Sequence, residues 1–182
     1  MKSIANLGPS PAAIPIVADD VLEFHAARLL LLLMLCGTKD RLQGLTKMAK
    51  LDFFVRYPQF FKEVCRHLGK DSSLPTDIVE SSMVRFHYGP WDRRYYHVLA
   101  YLKAKALITV EKEGAAFIFQ LTGLGRESAR ALSKKPAFTE LVAHMRQVKD
   151  ILGQKSGSAL KKLVYQVFED EIGEAKLGEV IK

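Results

Sequence analysis

The residues able to do chemistry are few and scattered. Two cysteines, Cys36 and Cys65, and five histidines at 25, 67, 87, 97 and 144 could serve as nucleophiles or metal ligands. None stands at a zinc spacing: Cys65-Arg-His67 offers two ligands and no second pair, where a structural zinc needs four. Cys36 sits in the apolar run Leu29 to Cys36, so both thiols read as buried groups of a reducing compartment. The carboxylate clusters Asp19-Asp20 and Glu169-Asp-Glu171 read as a helix cap and a solvated charge run. Gly123-Leu-Gly125 is too short to cradle a phosphate and serves as turn chemistry ahead of a helix. There is no Walker loop, dinucleotide fingerprint or Gly-x-Ser-x-Gly elbow. The expectation is a protein without catalysis, metal or cofactor.

Charge is the stronger signal. The 182 residues carry a net charge of +7 and a pI near 9.4, which favours an acidic partner, nucleic acid among the candidates. Candidate contacts are Lys47, Lys50 and Arg56 in one basic stretch, Arg85, then Arg93, Arg94 and Lys105 on the outer face of a helix, and Lys112 beyond it. Lys112 lies between Glu111 and Glu113, whose carboxylates repel the phosphates that the lysine would attract.

These residues need elements to hold them. Trp91, Tyr95, Val98, Leu99 and Leu102 share one face at a period near 3.6, predicting a helix that opens after Gly89-Pro90. Ile108 and Val110, a Glu113-Gly114 turn, and Phe117, Phe119 and Leu121 alternate as a hairpin. Thr122 is a natural N-cap for a helix to Leu132. Helix, two-stranded wing and helix predict a mainly α fold with a small β-wing, a winged helix-turn-helix-like core with additional C-terminal helices.

Around this unit, residues 1–17 with their prolines read as an extended arm and residues 18–135 as the core. A helix should run from an Asp20/Glu23 capping box to Cys36 and be buried nearly all round. Residues 41–82 are expected to be a helical insertion, with a tight turn near Leu51-Asp52 and a helix restarting at Pro58. The segment 83–88 is expected to supply a third strand beside the wing. In residues 136–182, Leu160, Leu163, Val164, Val167 and Phe168 form an apolar stripe that reads as partner docking, or equally as completion of the core. The apolar run at 29–36 is too short to span a bilayer and no signal peptide opens the chain, so a cytoplasmic location is expected.

Three stretches together resemble the small middle component of bacterial ABC three-component systems, the group that includes Lamassu anti-phage defence. They are Gly44 to Pro58, Met83 to Tyr96 and Leu160 to Phe168. The resemblance implies a non-enzymatic winged-helix subunit that sits on an SMC- or Rad50-like coiled-coil ATPase and restrains a nuclease-like effector, with DNA as a further contact and no membrane or small-molecule substrate. It carries over no catalytic residue. The competing expectation from the residues is a dimeric winged-helix transcription regulator; a third is an antitoxin-like partner of a small toxin.

Overall fold

A computed structural model describes residues 21–72, 84–86 and 89–168. Among these the fold is mostly helical, with seven α-helices and a small three-stranded antiparallel sheet. The elements run α1 (Leu22–Cys36), β1 (Arg41–Gln43), α2 (Leu45–Arg56), α3 (Pro58–His67), β2 (Val84–Phe86), β3 (Gly89–Trp91) and α4 (Tyr95–Ala104). They continue with β4 (Ile108–Glu113), β5 (Ala116–Leu121), α5 (Gly123–Ser133), α6 (Thr139–Leu152) and α7 (Gly157–Val167).

Helix α1 is the hub. Its run of leucines is apolar on every side because α2, α4, α5 and α6 all pack on it, leaving Leu29 to Leu33 essentially without solvent. It ends at Gly37, where a Cβ would lie 2.2 Å from the Leu33 carbonyl oxygen, so only glycine lets the chain turn so closely back on the helix. Val21 is the N-cap residue and offers no side-chain cap; the Asp20 half of the expected capping box lies outside the described residues.

The hairpin forms as expected, Ile108 facing Leu121 and Glu113 facing Ala116, with Gly114 at φ 57° in the turn. Its third strand is not the expected one. Strand β1 pairs antiparallel with β5, Leu42 opposite Phe119, giving the order β1-β5-β4. The segment near residue 85 instead forms β2, which folds back on β3 as a separate two-stranded ribbon. Of the expected insertion, residues 41–56 belong to the core instead: β1 joins the sheet, and α2 is a single unbroken helix through Leu51-Asp52. Trp91 closes β3, and α4 begins only at Tyr95.

Helices α6 and α7 close the remaining sides. A single 3-10 turn at Pro136–Phe138 leads into α6, which packs on α1 and α2, and α7 packs on α2 and α3. The Ser156 hydroxyl accepts from the Ala159 amide, capping α7. Phe60 meets Phe168 edge-on at a centroid distance of 4.9 Å. No helix among the described residues is long and apolar enough to cross a membrane.

Candidate interaction surfaces

Burial sorts the candidate residues first. Lys50 and Arg56 on α2 are fully enclosed and have nothing to present to a partner, which removes both from the expected basic surface. The reason for Arg56 is a carboxylate 36 positions away: its Nη1 donates to Asp92 at 2.7 Å. Arg94 is consumed by the same group. Its Nε and Nη2 reach Asp92 at 2.9 and 2.8 Å, and its Nη1 donates to His25 Nε2 at 2.8 Å. Burial raises the Asp92 pKa, but the hydrogen bonds from Arg94 and the charge of Arg56 overcome it, holding the carboxyl well below the usual range.

A second buried set lies beside the first. Arg28 Nε donates to Asp52 at 2.8 Å and the Tyr95 hydroxyl donates to the same carboxylate at 2.8 Å, with all three side chains nearly without solvent. Burial, then the Asp52 charge, pushes the Tyr95 phenol well above its ordinary pKa. Together the two sets pin the N-terminal turn of α4 to α1 and α2. The charge pattern of the sequence pointed outward for Arg56 and Arg94. Only the setting of Asp52, between Leu51 and Phe53, hinted otherwise.

The stripe Leu160, Leu163, Val164 and Phe168 is buried against α2 and α3, with Val167 half-buried. It completes the core of this chain, so the expected docking role is not open to it. Lys47 is half-buried and its Nζ donates to the Gly153 carbonyl at 2.8 Å, capping the end of α6. Arg93, Lys105 and Lys112 are exposed, as is Glu111. Glu113 is tied to Arg41 at 2.8 Å. The side chain of Arg85 lies outside the described residues.

What α4 presents towards the sheet is mostly apolar. A groove of about 220 Å³ runs between this helix and the sheet, walled by Tyr96, Leu99 and Ala100 on one side and Val110, Phe117 and Phe119 on the other. Tyr96 is 62% and Phe117 47% exposed, high for aromatics that bury readily. Among the described residues, Lys103 is the one charged residue of the lining.

No group of His, Cys, Asp and Glu among the described residues is arranged to hold a metal. Both cysteines are free and buried; burial pushes the Cys36 thiol up to about 12, far from a reactive thiolate. His144 is enclosed beside Phe61, and burial lowers its pKa to about 4.

Lys50 gives a pH signature. Burial, reinforced by Lys161, lowers its ammonium to about 7 against 10.5 for an ordinary lysine. Between those values the unfolded chain holds a proton that the folded chain lacks, so stability rises with pH from 7 towards 9. Lys50→Met should flatten that rise and raise the urea midpoint at pH 7, as read by denaturation at pH 7, 8 and 9.

The class these features define is a mainly helical domain with a small antiparallel sheet and an open apolar groove between a helix and that sheet. No family model, curated protein or solved structure matches the chain.

Proposed function

We propose that this chain is a non-catalytic docking subunit built on a winged-helix plan. The order α1, β1, α2, α4, β4, β5 with strands arranged β1-β5-β4 supports that plan, α3 and the β2–β3 ribbon being set between its second and third helices. The carrying observation is the groove. On its groove side α4 offers the ring of Tyr96, Leu99 and Ala100 beside Phe117 and Phe119, a surface that suits an apolar partner better than base edges. Arg94 faces a carboxylate of its own chain instead.

Taken with the resemblance to the middle component of three-component ABC systems, the partner is an SMC- or Rad50-like coiled-coil ATPase. An apolar segment of that ATPase would seat between α4 and the wing, and the subunit would link it to a nuclease-like effector in bacterial defence. Burying aromatic side chains in this way contributes roughly 1.5–3 kcal/mol each.

Co-expression with the neighbouring genes followed by affinity capture tests this. A large ATPase should co-purify at fixed stoichiometry, and Ala100→Glu with Phe117→Asp should release it while Arg93→Gln with Lys105→Gln retains it. The second reading, a transcription regulator, is favoured by the exposed cations Arg93, Lys103 and Lys105 along α4. It predicts the reverse: a dimer with an operator footprint that the arginine and lysine changes erase.

A further inference from the structure

Two clefts flank β1 and meet at Gln43 and Lys47. One, about 710 Å³, is walled by the first turns of α2 and α7 and carries Lys47 and Lys161. The other, about 440 Å³, carries Lys39, Arg41 and Lys47. Neither lining includes a carboxylate among the described residues, although the chain has 20 acidic side chains to 27 basic ones. The nearest acid in sequence, Asp40, is turned to α5, where its Oδ2 accepts from Arg126 Nε at 2.6 Å.

We infer that these joined clefts form a trough for the phosphodiester backbone of a nucleic acid, held by Lys39, Arg41, Lys47 and Lys161. The spacing of cations over two adjoining clefts suits a polyanion with repeating phosphates better than a single ion, because each cation can meet a different phosphate. The first turns of both helices line the larger cleft and pack closely there: a Cβ at Gly157 would lie 3.0 Å from the Lys47 backbone nitrogen. Lys47, Arg41 and Lys161 all have partners within the chain, the first two the Gly153 carbonyl and Glu113, and the Arg41 pair is exposed and of the weak kind that phosphate displaces.

The turn that carries Lys39 is held in place. Lys39 and Asp40 have φ of 53° and 58°, left-handed values that cost energy for residues with a Cβ. The Arg126 ion pair and a hydrogen bond from the Leu121 amide to the Asp40 carbonyl at 3.1 Å keep that conformation. A strained turn fixed from both sides holds a lysine at the mouth of a basic cleft, which a solvated loop would not need.

The trough lies along β1 and borders the α4 groove at Leu45 and Phe117, but its cations are not in the groove and it does not depend on the docking proposal. Fluorescence anisotropy with labelled 20-nucleotide single strands and duplexes, over a range of salt, tests it. The intact chain should bind, and Lys39→Gln/Arg41→Gln/Lys161→Gln should weaken binding at least about ten-fold and reduce the salt slope by roughly 2. Arg93→Gln/Lys103→Gln/Lys105→Gln should bind within about two-fold of the intact chain. Should the triple change at the trough unfold the chain, Lys39→Gln/Arg41→Gln alone should still weaken binding about five-fold. Absence of binding at low salt, unaltered binding by the trough variants, or displacement of the oligonucleotide by free ATP at equal phosphate concentration would each overturn the inference. Ala100→Glu alone, at a residue that lines the groove and neither cleft, should release the docking partner and leave oligonucleotide binding unchanged, so the two proposals fail separately.

Discussion

Asp52→Ala is expected to lower the stability of the folded chain by about 3–5 kcal/mol, a large part of the 5–15 kcal/mol typical of a domain. The carboxylate takes Arg28 Nε at 2.8 Å, Arg28 Nη2 at 3.4 Å and the Tyr95 hydroxyl at 2.8 Å. Arg28 is 1% exposed, so when the carboxylate goes its charge stays where water cannot replace the lost interactions. Three comparisons separate charge from packing. Tyr95→Phe removes one hydrogen bond but keeps the ion pair, and should cost about 1 kcal/mol. The double change Arg28→Met/Asp52→Leu removes both charges and should recover most of the loss. Asp92→Ala should resemble Asp52→Ala, since Arg56 is equally enclosed. Urea midpoints and thermal unfolding read all four, with a fall of about 10 °C expected for Asp52→Ala. A Tm unchanged within 2 °C would mean that the pair does not hold α1 to α2.

This network also shows what a sequence can and cannot reveal here. The hairpin of β4 and β5, the cap at Thr122 and the stripe of α4 were legible because each is a local pattern: alternation, a hydroxyl before a helix, a period of 3.6. Strand β1 was not. Arg41-Leu-Gln43 has no alternation worth the name, and its strand character comes from lying beside β5 some 75 positions later, with Leu42 opposite Phe119. Asp52 misled for a related reason. A carboxylate amid apolar residues suggests a turn unless its partner is known, and Arg28 sits on another helix 24 positions earlier. The α7 stripe announced an apolar partner without saying whether that partner was another protein or α2 of the same chain. The trough is harder still. Lys39, Arg41, Lys47 and Lys161 come from a turn, a strand and two helices, so no sequence window contains it.

The same folding logic that hides the trough makes the junction of α4, β4 and α5 sensitive to a single methyl group. Gly125 lies in α5 against the backbone of the α4–β4 turn, where an added Cβ would stand 1.9 Å from the Leu107 carbonyl oxygen and 2.9 Å from its carbon. That carbonyl cannot easily retreat. It accepts from the Thr122 amide at 3.1 Å, while the Thr122 hydroxyl donates to the Ala106 carbonyl at 2.7 Å and accepts from the Gly125 amide at 2.9 Å. Ala106 itself is left-handed at φ 55°, leaving the turn little freedom to adjust. Gly125→Ala should therefore cost about 3 kcal/mol, at the upper end for overpacking, because the obstacle is backbone rather than a rotatable side chain. Gly123→Ala, two positions earlier on the same helix, meets nothing within 4 Å and should be neutral or stabilising by up to about 1 kcal/mol through reduced freedom of the unfolded chain. Opposite shifts in Tm from two identical substitutions on one helix are the expected result. Since α5 packs on α1, Gly125→Ala should also loosen the hub, seen as faster hydrogen exchange in α1 than Gly123→Ala produces. Equal tolerance of both changes would show that α5 can slide on the turn, and that Thr122 caps the helix without fixing its position.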